Sequence, residues 1–152
     1  MWQKIMMVLF TSVMPISELR GAIPLGISLG LSPEISMFYS ILGNSIIVPV
    51  LLLIIRPLFT EVKRIRMFRN AISRFESRAA NKIKHYRKYR LIGLYLLVAI
   101  PLPTTGVYTG CVAAVIMNIR FRNALGAIVA GVVSAGLIVY LVSIGFIMGT
   151  GI

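Results

Sequence analysis

The chain has 152 residues, 58% hydrophobic and only 13% charged, with a mean hydropathy of +0.91 and a net charge of +12. A soluble domain has roughly a quarter of its residues charged, so this balance excludes an ordinary soluble domain and leaves room for one compact membrane domain. The positive charge does not point to nucleic acid: twelve of the 16 Lys and Arg lie between Arg56 and Arg90, and a basic block between two apolar halves fits a cytoplasmic loop.

Apolar residues run from Ile5 to Met14, and a helix of about ten residues reaches roughly 15 Å, half of a hydrocarbon core. The segment Pro15–Pro24 follows, holding Glu18 and Arg20 in otherwise apolar surroundings. A second half-length run covers Ala22 to Leu31. Two half-span arms around a polar, Pro/Gly-rich bend read as a re-entrant helical hairpin, with two short tilted spans as the alternative. Lys4 and the run behind it lead to no small-x-small cleavage site, so no cleavable signal is expected.

Ser32-Pro33-Glu34 has the order of a helix start: a capping hydroxyl, a first-turn proline and an acid. The run Ile35–Ile55 is long enough for a full span and carries Asn44 and Pro49. Asn44 is a partner for a neighbouring helix or hairpin. From Val62 to Arg90 the spacing Ile65, Phe68, Ile72, Phe75, Ala79, Ile83, Tyr86 predicts an amphipathic helix whose basic face suits anionic lipid headgroups. The same stripe could instead pack on a partner subunit. His85 belongs to its solvated face.

Leu91–Ile100 is again half a span. Pro101-Leu102-Pro103-Thr104-Thr105-Gly106-Val107-Tyr108-Thr109-Gly110 then leads into a short arm to Met117, a turn carrying Arg120 and Arg122, and a full span over Ala124–Met148. Small residues recur at every fourth position in that span, along Gly126, Ala130, Ser134 and along Ala127, Gly131, Ala135. Cys111 sits in an apolar run and reads as a buried thiol.

The two halves follow one plan, with Pro15 answering Pro101 and Leu42-Gly43 answering Leu125-Gly126. The expected fold is all-α and integral to the membrane. It consists of a first repeat (1–55), a basic cytoplasmic linker helix (56–90) and a second, inverted repeat (91–152). Each repeat is a re-entrant hairpin plus a transmembrane helix. An odd number of crossings per half inverts the second half and puts both termini outside. The facing bends would then bring Glu18 and Arg20 to Thr104, Thr105, Tyr108, Thr109 and Asn44. Pro15, Gly21, Pro24, Gly26, Pro101, Pro103, Gly106 and Gly110 would shape the bends. Glu18 can exchange a proton, and the planar fork of Arg20 suits a phosphate or carboxylate. The competing reading is an ion pair that only fixes the hairpin.

Across Pro15–Gly26 and Pro101–Gly110 the sequence resembles the small multidrug export protein family, itself related to the DedA (VTT-domain) membrane proteins. The resemblance implies two re-entrant hairpins with charged residues at Glu18 and Arg20, and a transporter or lipid-translocase role. Tyr108 stands where a Trp is expected, and no Arg occurs between Leu91 and Asn118, a departure from the DedA pattern.

The expected function is export of an amphiphilic or anionic solute, proton-coupled through Glu18, by a homodimer in the plasma membrane. The alternatives are a DedA-type lipid or lipid-carrier translocase or scramblase, and a non-transporting scaffold acting through the 62–90 helix. No metal-ligand cluster, nucleophile–base pair or phosphate loop suggests an enzyme or a cofactor. The expected partners are the bilayer, its anionic headgroups and a small-molecule or lipid substrate, not nucleic acid.

Overall fold

A computed structural model describes residues 1–64, 87–101 and 105–150. Among these residues the chain is all-helical, with no strand: α1 (Trp2–Val13), α2 (Glu18–Ser28), α3 (Pro33–Arg64), α4 (Arg87–Ala99), α5 (Val107–Ile116) and α6 (Phe121–Thr150). Two of the helices contain segments long and apolar enough to cross a membrane, Pro33–Glu61 and Phe121–Phe146, with mean hydropathies of 2.2 and 2.4. Helix α3 runs on past Ile55 to Arg64, with Pro49 and Pro57 inside it. The amphipathic helix expected over 62–90 falls mostly on residues 65–86, outside the described residues, as does His85.

Helices α1 and α2 are 12 and 11 residues long and pack on each other. At about 1.5 Å per residue, each reaches roughly half a hydrocarbon thickness. The bend between them is shorter than the sequence suggested, only Met14–Ser17, because α2 starts at Glu18 and not at Ala22. Glu18 itself takes a left-handed φ of +45°, which turns the chain into α2. Gly21, Pro24 and Gly26 therefore lie within the helix. Pro24 has no N–H to offer the carbonyl of Arg20 four residues back. In the second half α4 and α5 are also short neighbours, and Gly110 lies inside α5. Pro103 and Thr104 fall outside the described residues.

Helices α2 and α5 end in the same way. Leu31 N–H bonds to Gly26 O at 3.0 Å and Gly30 N–H to Ile27 O at 2.9 Å. Ile119 N–H bonds to Ala114 O at 3.0 Å and Asn118 N–H to Val115 O at 3.0 Å. This is the Schellman pattern, which needs a left-handed residue at its corner. Gly30 (φ +79°) and Asn118 (φ +51°) supply it. The apolar residue that follows each corner, Leu31 or Ile119, is buried, and a long helix starts two residues later.

The long helices α3 and α6 pack antiparallel. Tyr140 near the end of α6 donates to Glu34 Oε1 at the start of α3, at 3.2 Å. At the opposite end, Arg56 of α3 donates to Ile119 O just before α6, at 2.6 Å. Gly43 and Gly131 each stand ten residues into their long helix and let the first short helix of the same half, α1 or α4, approach. A Cβ on Gly43 would lie 3.2 Å from Leu9 O, and one on Gly131 would lie 3.0 Å from Tyr95 O. Gly126, which the sequence pairs with Gly43, faces open space. Of the two small-residue faces, the one through Gly131 and Ala135 is buried, whereas Gly126 and Ala130 are exposed.

The core joins both halves. Leu19 and Ile23 of α2 meet Val48 and Leu52 of α3, Leu94 and Val98 of α4, Cys111 of α5 and Ile128 and Val132 of α6. In lipid the stabilisation from such contacts is close packing, because tails outside the bundle are as apolar as the side chains. The thiol of Cys111 is buried, as the sequence suggested.

Candidate functional site

A broken helix inside a bundle leaves N–H and C=O groups with no intrahelical partner, and leaving one unpaired in lipid costs several kcal/mol. The two hairpins expose four such ends near the middle of α3 and α6. Each end meets a polar side chain.

Glu18 is 7% exposed, and its carboxylate accepts from the backbone N–H groups of Val107 and Tyr108, the first residues of α5. A carboxylate is a favourable partner for a helix N-terminus because free donors and the helix dipole converge there. Gly106 makes the approach possible: a Cβ at that position would fall inside the Glu18 carboxylate. Arg20 donates through Nη2 to the backbone oxygen of Thr105, and at 3.0 Å to its Oγ1. That hydroxyl in turn donates to Ile100 O at 2.7 Å, at the end of α4. Tyr108 donates its hydroxyl to Val13 O, the last carbonyl of α1.

Asn44, fully buried on α3, closes the remaining gap. With its amide oriented to satisfy both neighbours, its nitrogen donates to Ser12 O at 2.7 Å and its oxygen accepts from Leu19 N–H at 3.3 Å. One side chain thus bridges the end of α1 and the start of α2. Glu18 and Arg20 do not merely face each other; each reaches the other hairpin.

Pro15, Ile16, Glu18, Arg20, Thr105, Tyr108 and Thr109 line a cleft of about 160 Å³. Of the residues singled out from sequence, Glu18, Arg20, Thr105, Tyr108 and Thr109 therefore meet. Asn44 lies behind the bend, and Thr104 is outside the described residues. The sequence reading missed Ser12, Ser36 and Ser40. The last two continue a buried stripe with Asn44 at every fourth position of α3, and their hydroxyls have no hydrogen-bond partner among the described residues. Three polar residues at that spacing in an apolar span were a visible signal. Among the described residues no three His, Cys, Asp or Glu side chains gather as metal ligands would.

The fold and site define a helical membrane protein whose buried charges sit at interrupted helix ends. It belongs to the family described as Putative small multi-drug export protein, whose family model matches residues 18–138, from Glu18 into α6. No curated protein and no solved structure matches the chain. The family description points to export of small molecules across a membrane.

Proposed function

We propose that the protein exports a small amphiphilic or anionic solute through the cleft between its two hairpins, with proton exchange at Glu18 coupled to the movement. The observation that carries this reading is the buried Glu18 carboxylate on the N-terminus of α5, beside a cleft of about 160 Å³. A proton on Glu18 weakens its bonds to the Val107 and Tyr108 N–H groups. Those donors are then available to the polar head of a solute beside Arg20, and the hairpins are less firmly held together. Deprotonation restores the clasp and expels the head. This makes the two hairpins an inverted repeat whose halves part on alternate sides. The antiparallel α3 and α6 and the matching ends of α2 and α5 support that arrangement.

The test is reconstitution in liposomes with a fluorescent anionic solute and an imposed pH gradient. Wild type should move the solute in response to the gradient, and Glu18→Gln should abolish the response while still eluting as a folded species. Gradient-driven movement unchanged in Glu18→Gln would sink the coupling. Gradient-independent movement of labelled lipid, indifferent to Glu18, would instead mark a DedA-type lipid translocase.

A further inference from the structure

The end of the bundle away from the Glu34–Tyr140 contact carries charge that the central cleft does not use. Here the turn between α5 and α6 is held by two arginines from other helices. Arg56 donates from Nη2 to Ile119 O at 2.6 Å, and Arg90 donates from Nη1 to Met117 O at 3.1 Å. A basic side chain on the C-cap carbonyl of α5, as Arg90 is on Met117 O, is a good C-terminal cap. The bond to Ile119 O leaves Arg56 under-used, because its Nε is enclosed and has no hydrogen-bond partner among the described residues. Arg120 adds a further charge to the turn, and its guanidinium is exposed.

Arg56, Thr60 and Asn118 line a cavity of about 190 Å³ with Phe59, Val115 and Ile119. Thr60 also lines a neighbouring groove, formed with Ile54, Pro57, Leu58 and Glu61, whose apolar members Ile54 and Leu58 are 57% and 60% exposed. Thr60 lines both, so the basic, polar hole and the apolar groove adjoin at that residue. Arg56 lies about 35 Å along α3 from Pro33 at 1.5 Å per residue, one hydrocarbon thickness away, where headgroup phosphates would sit. Glu61 at the rim disfavours an anion in the groove itself, but an acyl chain carries no charge there.

We infer that Arg56 and Asn118, with Arg120 in the adjoining turn, bind the phosphate of an anionic phospholipid whose acyl chain lies along Ile54, Pro57 and Leu58. A planar guanidinium suits a phosphate diester, and the adjoining groove selects a lipid over a free ion.

Native mass spectrometry of the purified protein, titrated with phosphatidylglycerol, phosphatidylcholine or inorganic phosphate, tests this. Wild type should retain phosphatidylglycerol in preference to phosphatidylcholine. Arg56→Gln should weaken that retention by about tenfold or more, the effect of losing a charge-assisted bond. Because Arg56 also holds the turn at Ile119 O, Arg120→Gln provides a second variant that removes no such bond. It should weaken retention by about fivefold, with an unchanged melting temperature in detergent. Equal retention of the two lipids, or retention by Arg120→Gln and a folded Arg56→Gln as strong as in wild type, would overturn the assignment. So would displacement of the lipid by millimolar inorganic phosphate, which would mark a site for a free anion.

Discussion

At the scale of single residues, Glu18 and Gly106 function as a pair. The carboxylate can reach the N–H groups of Val107 and Tyr108 because Gly106 places nothing in its way. Gly106→Ala therefore forces the carboxylate out or the hairpins apart. It should cost about 1–3 kcal/mol by overpacking, with loss of gradient-driven transport. Gly93→Ala is the control, since a Cβ there meets nothing within 4 Å. Thermal unfolding of both variants in detergent checks the contrast, and equal melting temperatures would count against the Glu18–Gly106 contact.

At the scale of elements, what holds a broken helix in place is whatever satisfies its ends. Asn44→Ala leaves Ser12 O and Leu19 N–H without partners and should destabilise by about 1–2 kcal/mol. Ser36→Ala on the same stripe removes a buried hydroxyl that has no partner among the described residues, so it should be neutral or slightly stabilising. Melting curves of the two variants separate a hydrogen-bonded polar residue from one that only packs. The small residues of α6 divide in the same way. Gly131→Ala presses on Val98 and Tyr95 and should lower stability by about 1–3 kcal/mol, whereas Gly126→Ala has room and should be tolerated. A larger loss at Gly126 than at Gly131 would refute the packing of α4 on α6.

At the scale of the molecule, the lengths of α1 and α2 bear on how the chain lies in the bilayer. If residues 5–31 re-enter, Ile16 lies near the midplane. Ile16→Cys should then escape a membrane-impermeant maleimide from either side, although Ile16 is 96% exposed in the fold. Ser32→Cys and Asn123→Cys should label from opposite faces, because their turns sit at opposite ends of α3. The buried Cys111 gives little background. Labelling of Ile16→Cys from the face opposite Ser32→Cys would establish two short spans instead.

The sequence by itself determined the apolar class, the two long helices, the half-length arms before them and the costly charges at Glu18 and Arg20. All of these follow from local composition and run length. It also located the bends, but made the first too long: Pro24 and Gly26 read as breakers, although a packed bundle can hold them within α2. The register between the halves was beyond it too, because Gly126 and Gly131 look alike until a neighbouring helix is in place. Above all, only the tertiary structure decided what Glu18 and Arg20 bind. Their partners, the N–H groups of α5 and the oxygens of Thr105, lie more than 80 residues away. Three of these four partner groups are backbone atoms, so nothing in a side-chain pattern could mark them in advance.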